Sequence, residues 1–112
     1  MNIQEKNVNN ILVIAISGDI DRSEEDKLVT FFEKIVKSNN SKIVLNISGL
    51  DYINSSILGI LVKFYKEIKK KKGELCMSNV TPFVLNMLRI THINDIIKIY
   101  SVESDAIKSL EH

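Results

Sequence analysis

The stretch Lys42–Ser48, KIVLNIS, most constrains how this chain can fold. It is short and β-branched, with Asn46 the only polar residue between its ends, which suits a strand covered on both faces. Such a strand needs a layer above it and a layer below it. The segments on either side read as those layers.

Upstream, Ile11–Ile16 is a second apolar run, and Asn9 and Asn10 separate it from the alternating segment Ile3–Val8. Asparagine tolerates the left-handed backbone of tight turns, so the chain is expected to open with a hairpin. The sequence SGDIDRSEED follows. There Ser23 is the expected helix cap, with Glu24, Glu25 and Asp26 at the positive end of the dipole. Leu28, Phe31, Phe32 and Ile35 then recur at helical spacing and give one stripe to bury. Past a polar loop, Ser38–Ser41, comes the KIVLNIS strand. A second helix is expected from about Ser56 to Lys72, stopping at Gly73, with Lys69–Lys72 as a solvated, favourably charged end. ELCMSN reads as a strand. Thr81–Pro82 marks a helix start running to about Ile90, because proline's missing N–H would be unpaired there in any case. IIKIY gives a last strand, and a short helix closes the chain from Ser101.

Strand alternating with helix after an opening hairpin implies an α/β fold: a mixed, mostly parallel sheet with about four helices. In such sheets the loops at the carboxyl ends of the strands share one edge, where sites usually form. The loop with Asp19 and Asp21 and the loop with Asp51, Asn54 and Ser55 are expected there. One domain, residues 1–109, is expected. Leu110, Glu111 and His112 look like a tag remnant.

Composition narrows the function. A chain of 112 residues with a formal net charge of +1 has no broad field for holding nucleic acid. No stretch approaches the ~20 apolar residues of a membrane span, which leads us to expect a cytoplasmic protein. The lone Cys76, inside a strand, is expected in the core. His92 falls in a loop after the third helix with no ligand at metal spacing, and there is neither a nucleophile elbow nor a phosphate-binding glycine loop. No base, nucleophile and orienting group occur together, so neither an enzyme nor a cofactor site is expected. Asp19, Asp21 and Asp51 as a magnesium cluster of a receiver-like domain is the weakest reading, since the acidic pair and the lysine at the appropriate strand ends are missing.

The second helix carries an unusual surface. Ile57, Ile60, Leu61, Phe64 and Ile68 form a core stripe, and Leu58, Val62 and Tyr65 form another, rotated by about 100°. A neighbouring helix could cover the second stripe; alternatively it is exposed for docking, with Gly59 permitting close approach. Ser55 or Ser56 serves as the N-cap. A serine beside an apolar patch is also well placed as a switch, because phosphorylation adds about −1.5 to −2 charges.

From the hairpin through SGDID, IVLNISGLDYINSSILGIL and LRITHINDIIKIY to Ser104, the chain resembles the STAS domain, named for sulfate transporters and anti-sigma factor antagonists. The resemblance implies a protein that binds a serine kinase which sequesters a sigma factor. The unphosphorylated antagonist takes the kinase, the kinase inactivates it by phosphorylating one serine, and a serine phosphatase reverses this. The family's switch, Asp-Ser-(Ser/Thr)-Gly-Leu-Gly, falls on Asn54, Ser55, Ser56, Ile57, Leu58 and Gly59. Ser55 is then the acceptor, Asp21 matches an acidic position near it, and Asn54 and Ile57 depart from the pattern. His92 stands where the family often has glycine. Combined with the second stripe, this reading has Leu58, Val62 and Tyr65, with Gly59, contact the partner kinase, Asp21 and Asn54 shape the surroundings of the acceptor, and Ser56 cap the helix. A constitutive STAS scaffold in a signalling or transport assembly, without phosphoregulation, is the alternative.

Overall fold

Asn9 and Asn10 both take left-handed backbone, with φ of 52° and 66°. Positive φ at both central residues is the requirement of a tight two-residue hairpin turn whose twist matches its strands. In the computed structural model, which describes residues 1–112, this turn joins β1 (Asn2–Val8) to β2 (Ile11–Ser17). There follow α1 (Arg22–Lys37), β3 (Lys42–Gly49), α2 (Ser55–Lys70), β4 (Glu74–Ser78), α3 (Pro82–Ile90), a 3-10 turn (Ile93–Asp95), β5 (Ile99–Tyr100) and α4 (Glu103–Leu110). The strands lie side by side in chain order. The β1–β2 pair is antiparallel and every other pair is parallel, the mixed, mostly parallel sheet expected.

Strand alternation sorts the core onto two faces. Leu12, Ile14, Ile16, Ile43, Leu45, Ile47, Leu75 and Met77 face the larger core, which they share with side chains of α1, α2 and α3. Ile11, Val13, Val44 and Cys76 face the other side, where Ala106 and Leu110 of α4 meet them. Leu110, set aside above as part of a tag remnant, is buried there as the last residue of α4. Cys76 is a core residue, and burial pushes its thiol up to about 11.

Three expectations about element ends are corrected. Asp21, not Ser23, caps α1: its carboxylate accepts from the Glu24 N–H at 3.0 Å, and the Ser23 hydroxyl donates to the same carboxylate at 2.8 Å. Both residue types can cap, and the aspartate stands at the point where the backbone is still extended. Next, α2 ends at Lys70; Lys72 takes the left-handed conformation (φ 63°) and the Gly73 N–H closes onto Ile68 O at 2.9 Å. Gly73 is required for space, since a Cβ there would lie 2.7 Å from both Ser41 O and Ile68 Cγ2. The expected strand IIKIY shrinks to Ile99–Tyr100, because the N–H groups of Ile96 and Ile97 are taken by Ile93 O in the 3-10 turn. Lys71 also differs from the solvated end expected for Lys69–Lys72: its ammonium donates to Val36 O and Ser38 O at 2.9 and 2.7 Å, capping the carbonyl end of α1.

The start of α4 is tied to the sheet by Glu103. Its carboxylate pairs with Lys6 at 2.7 Å and accepts from the Asn46 amide at 2.9 Å, and these two contacts hold it below the usual glutamate range. A depressed carboxyl pKa contributes stability above its unfolded value of about 4.3 and loses that contribution as pH falls through the folded value. Glu103→Gln is therefore expected to cost about 1 kcal/mol at pH 7, the upper range for a partly exposed pair. Urea unfolding at pH 7 and pH 3 checks this. The two proteins should converge in acid, and an equal gap at both pH values would show that the pair's charge is not what stabilises.

Candidate serine switch at the start of helix α2

The site is built where the carboxyl ends of β2 and β3 release the chain into α1 and α2. At this edge the two strands draw together: Ser17 stands opposite Gly49 after an irregularity in register that begins at Ala15. The Gly18 N–H donates to Gly49 O at 3.1 Å, and Gly18 has φ 89°. Leu50 and Ile53 are buried beneath the following loop and anchor it from below. Thr81 fastens it from the side, its hydroxyl donating to Leu50 O at 2.7 Å. The loop from β3 is thus held at both ends before α2 begins.

Asn54 is the N-cap of α2, with its side-chain oxygen accepting the Ile57 N–H at 2.9 Å. This corrects the assignment of the cap to Ser55 or Ser56. Asparagine caps as well as serine, an interaction worth ~1 kcal/mol, and it occupies the last extended position (ψ 177°). The two serines fall inside the first turn and have different surroundings. Both are exposed on the rim; the Ser56 hydroxyl donates to the Glu25 carboxylate on α1, while no side-chain partner holds the Ser55 hydroxyl. Asp21 is exposed at the start of α1, its carboxyl held below the usual aspartate range by the Ser23 hydroxyl and the Glu24 N–H.

The rest of the expected contact surface divides. Leu58 is 5 % exposed and belongs to the main core, so its placement on an exposed docking stripe is corrected. Its side chain joins the core that the sheet shares with α1, α2 and α3. Val62 and Tyr65 are half-buried against that core, and Gly59 is exposed with nothing within 4 Å of where a Cβ would stand. Ile57 points into the core rather than outward. His92 takes left-handed backbone (φ 60°), which explains why a glycine would also suit its position.

Residue-by-residue reading missed three neighbours. Glu25 holds Ser56, and Tyr52 and Phe83 stack on one another with ring centroids 5.3 Å apart beside the loop. The signal for Tyr52 was an aromatic residue between the two polar ends, Asp51 and Asn54, of a loop whose other apolar residues, Leu50 and Ile53, are buried. Nothing in the sequence linked it to Phe83.

Fold and site together define a small α/β domain that presents a serine-bearing helix start at the carboxyl edge of its sheet. Residues 2–106 match the STAS domain, and the chain belongs to that family. It is 30 % identical over 112 residues to the anti-sigma F factor antagonist of Paenibacillus polymyxa, covering 99 % of this chain and 96 % of the relative. The fold superposes with a TM-score of 0.91 on the crystal structure of a candidate anti-sigma factor antagonist from Thermotoga maritima, at 22 % identity, covering 98 % of this chain and 95 % of the other. A Bacillus cell fate determinant, SpoIIAA in its phosphorylated form, matches with a TM-score of 0.77 at 17 % identity over 98 % of this chain and all of that one. No helix is long and apolar enough to cross a membrane.

Proposed function

We propose that this chain is a cytoplasmic, non-catalytic anti-sigma factor antagonist that binds an anti-sigma serine kinase and is switched off by phosphorylation at Ser55. The observation that carries this reading is the contrast between the two serines. Both are exposed on the first turn of α2, but the Ser56 hydroxyl is engaged by Glu25, whereas the Ser55 hydroxyl has no side-chain partner. A hydroxyl there can enter a kinase active site without breaking a tertiary contact. The first turn supplies free N–H groups that stabilise a phosphate once attached, and the added charge and hydration oppose a partner packed on the same rim. Asn54 in place of an acid keeps the cap, and Ile57 in place of glycine is buried, so neither departure alters the shape offered to the kinase. Around the acceptor, Asp21, Asn54 and Ser56 shape the surface, and Gly59, Val62 and Tyr65 extend it along α2. A serine phosphatase resets the switch.

Phosphate transfer from ATP by the host's anti-sigma serine kinase tests the acceptor. Wild type and Ser56→Ala are expected to take up phosphate and Ser55→Ala none. In calorimetric titration Ser55→Asp should bind the kinase at least tenfold more weakly than wild type. Undiminished uptake by Ser55→Ala would remove Ser55 from this role. Equal binding of wild type and Ser55→Asp would favour the constitutive scaffold.

A further inference from the structure

The acidic side chains at the start of α1 have separate commitments. The Asp21 carboxylate turns back on the Ser23 hydroxyl and the Glu24 N–H. Glu24 pairs with the Met1 amino group at 2.6 Å, and Asp26 is exposed. Glu25 is the acid that reaches α2, where its carboxylate accepts from the Ser56 hydroxyl. Glu25 is half-buried and has no cation against it, so its negative charge is turned on that hydroxyl. Two helices packed on one another carry the contact, with Phe32 stacked on Phe64 farther along the same seam. Successive residues of a helix point about 100° apart. Ser56 therefore faces α1 while Ser55, next to it in sequence, leaves α2 in another direction with its hydroxyl unpartnered.

We propose that Glu25 is a specificity-determining residue, which confines phosphorylation to Ser55 by closing Ser56 to the kinase. In the transfer, the acceptor oxygen bonds to the γ-phosphorus of ATP as the bond from that phosphorus to the β–γ bridging oxygen breaks. The hydroxyl proton passes to a base on the kinase, and ADP leaves. At Ser56 the proton is already held by Glu25 in a charge-assisted hydrogen bond, one of the stronger kind. The same carboxylate repels the incoming γ-phosphate. The product is opposed as well, because a phosphate on Ser56 would set about −1.5 to −2 charges against Glu25. Neither obstacle stands at Ser55. Two neighbouring hydroxyls on one helix start are thus made unequal by a residue 31 positions away. A single acceptor leaves the switch one modified form, which one dephosphorylation step resets. The inference rests on the proposed function for the kinase step itself.

Incubation of purified variants with the host's anti-sigma serine kinase and ATP tests it, with the phosphate located by tandem mass spectrometry. Thermal melting of each variant verifies that it folds; Glu25→Leu, closer in size, replaces Glu25→Ala should the latter melt early. Wild type is expected to carry phosphate on Ser55 alone, and Glu25→Ala on both serines. The Ser55→Ala background removes competition between the two sites. There Ser55→Ala alone should stay at background, and Ser55→Ala/Glu25→Ala should rise at least tenfold above it, all on Ser56. Ser55→Ala/Asp26→Ala, which removes a neighbouring acid that does not hydrogen-bond Ser56, should stay at background. If Ser55→Ala/Glu25→Ala stays at background while Glu25→Ala is still modified at Ser55, the inference falls and the proposed function stands. An equal rise in the Asp26 control overturns the inference too, since general acidity would then guard Ser56. Phosphate on Ser56 of Ser55→Ala that Glu25→Ala abolishes would make Glu25 an activator, the reverse of the proposal. If wild type takes up no phosphate, the proposed function falls and takes the inference with it.

Discussion

Gly49→Ala is expected to destabilise the domain by about 3 kcal/mol, the upper part of the range for inserting one carbon into a packed interior. A Cβ on Gly49 would stand 2.2 Å from Ser17 Cβ and 2.7 Å from Ser17 Cα. The second of these is backbone, so no rotamer change relieves it. Either β2 and β3 separate at their carboxyl ends or Gly49 leaves its place opposite Ser17. Both responses move the segment that leads through Leu50 to the Asn54 cap. Urea unfolding should therefore show a lower midpoint with an unchanged slope, and the Leu50 N–H, which donates to Ile47 O at 3.0 Å, should lose protection from hydrogen exchange. A loss below 1 kcal/mol would mean that the strand ends yield freely, and that the close approach does not position the site.

Truncating Phe64 has a comparable effect through a different cause. Phe64 is 2 % exposed, and its ring lies parallel to that of Phe32 with centroids 4.0 Å apart, joining α2 to α1 above the sheet. Phe64→Ala removes the transfer free energy of the ring, leaves a cavity that neighbouring strands cannot close, and ends the stack; about 3–5 kcal/mol is expected. The consequence extends to the start of α2, because the Ser56–Glu25 hydrogen bond joins the same two helices at their starts. Chemical denaturation gives the magnitude, and the double substitution with Phe32→Ala gives the coupling. If the two single losses simply add, the rings do not act as a pair.

Patterning read along the chain determined the architecture. Runs such as Ile11–Ile16 and Lys42–Ser48 are legible because a strand covered on both faces leaves few positions for polar residues, and the helical stripes repeat at an unmistakable period. The match to the STAS family was legible for the same reason: it rests on local order, from SGDID to NSSILG. Tertiary structure decided what depends on neighbours. Two capping residues, Asp21 and Ser23, stand within three positions at the start of α1, and three, Asn54, Ser55 and Ser56, at the start of α2; only the backbone geometry selected Asp21 and Asn54. Periodicity assigned Leu58 to a stripe, but packing in the shared core decided that the stripe's first residue is buried while Val62 and Tyr65 are half-covered. Glu25 meets Ser56 across 31 positions, and Tyr52 meets Phe83 across a similar span. Contacts between residues so far apart in sequence arise from how the helices pack on the sheet, and local sequence order carries no record of them.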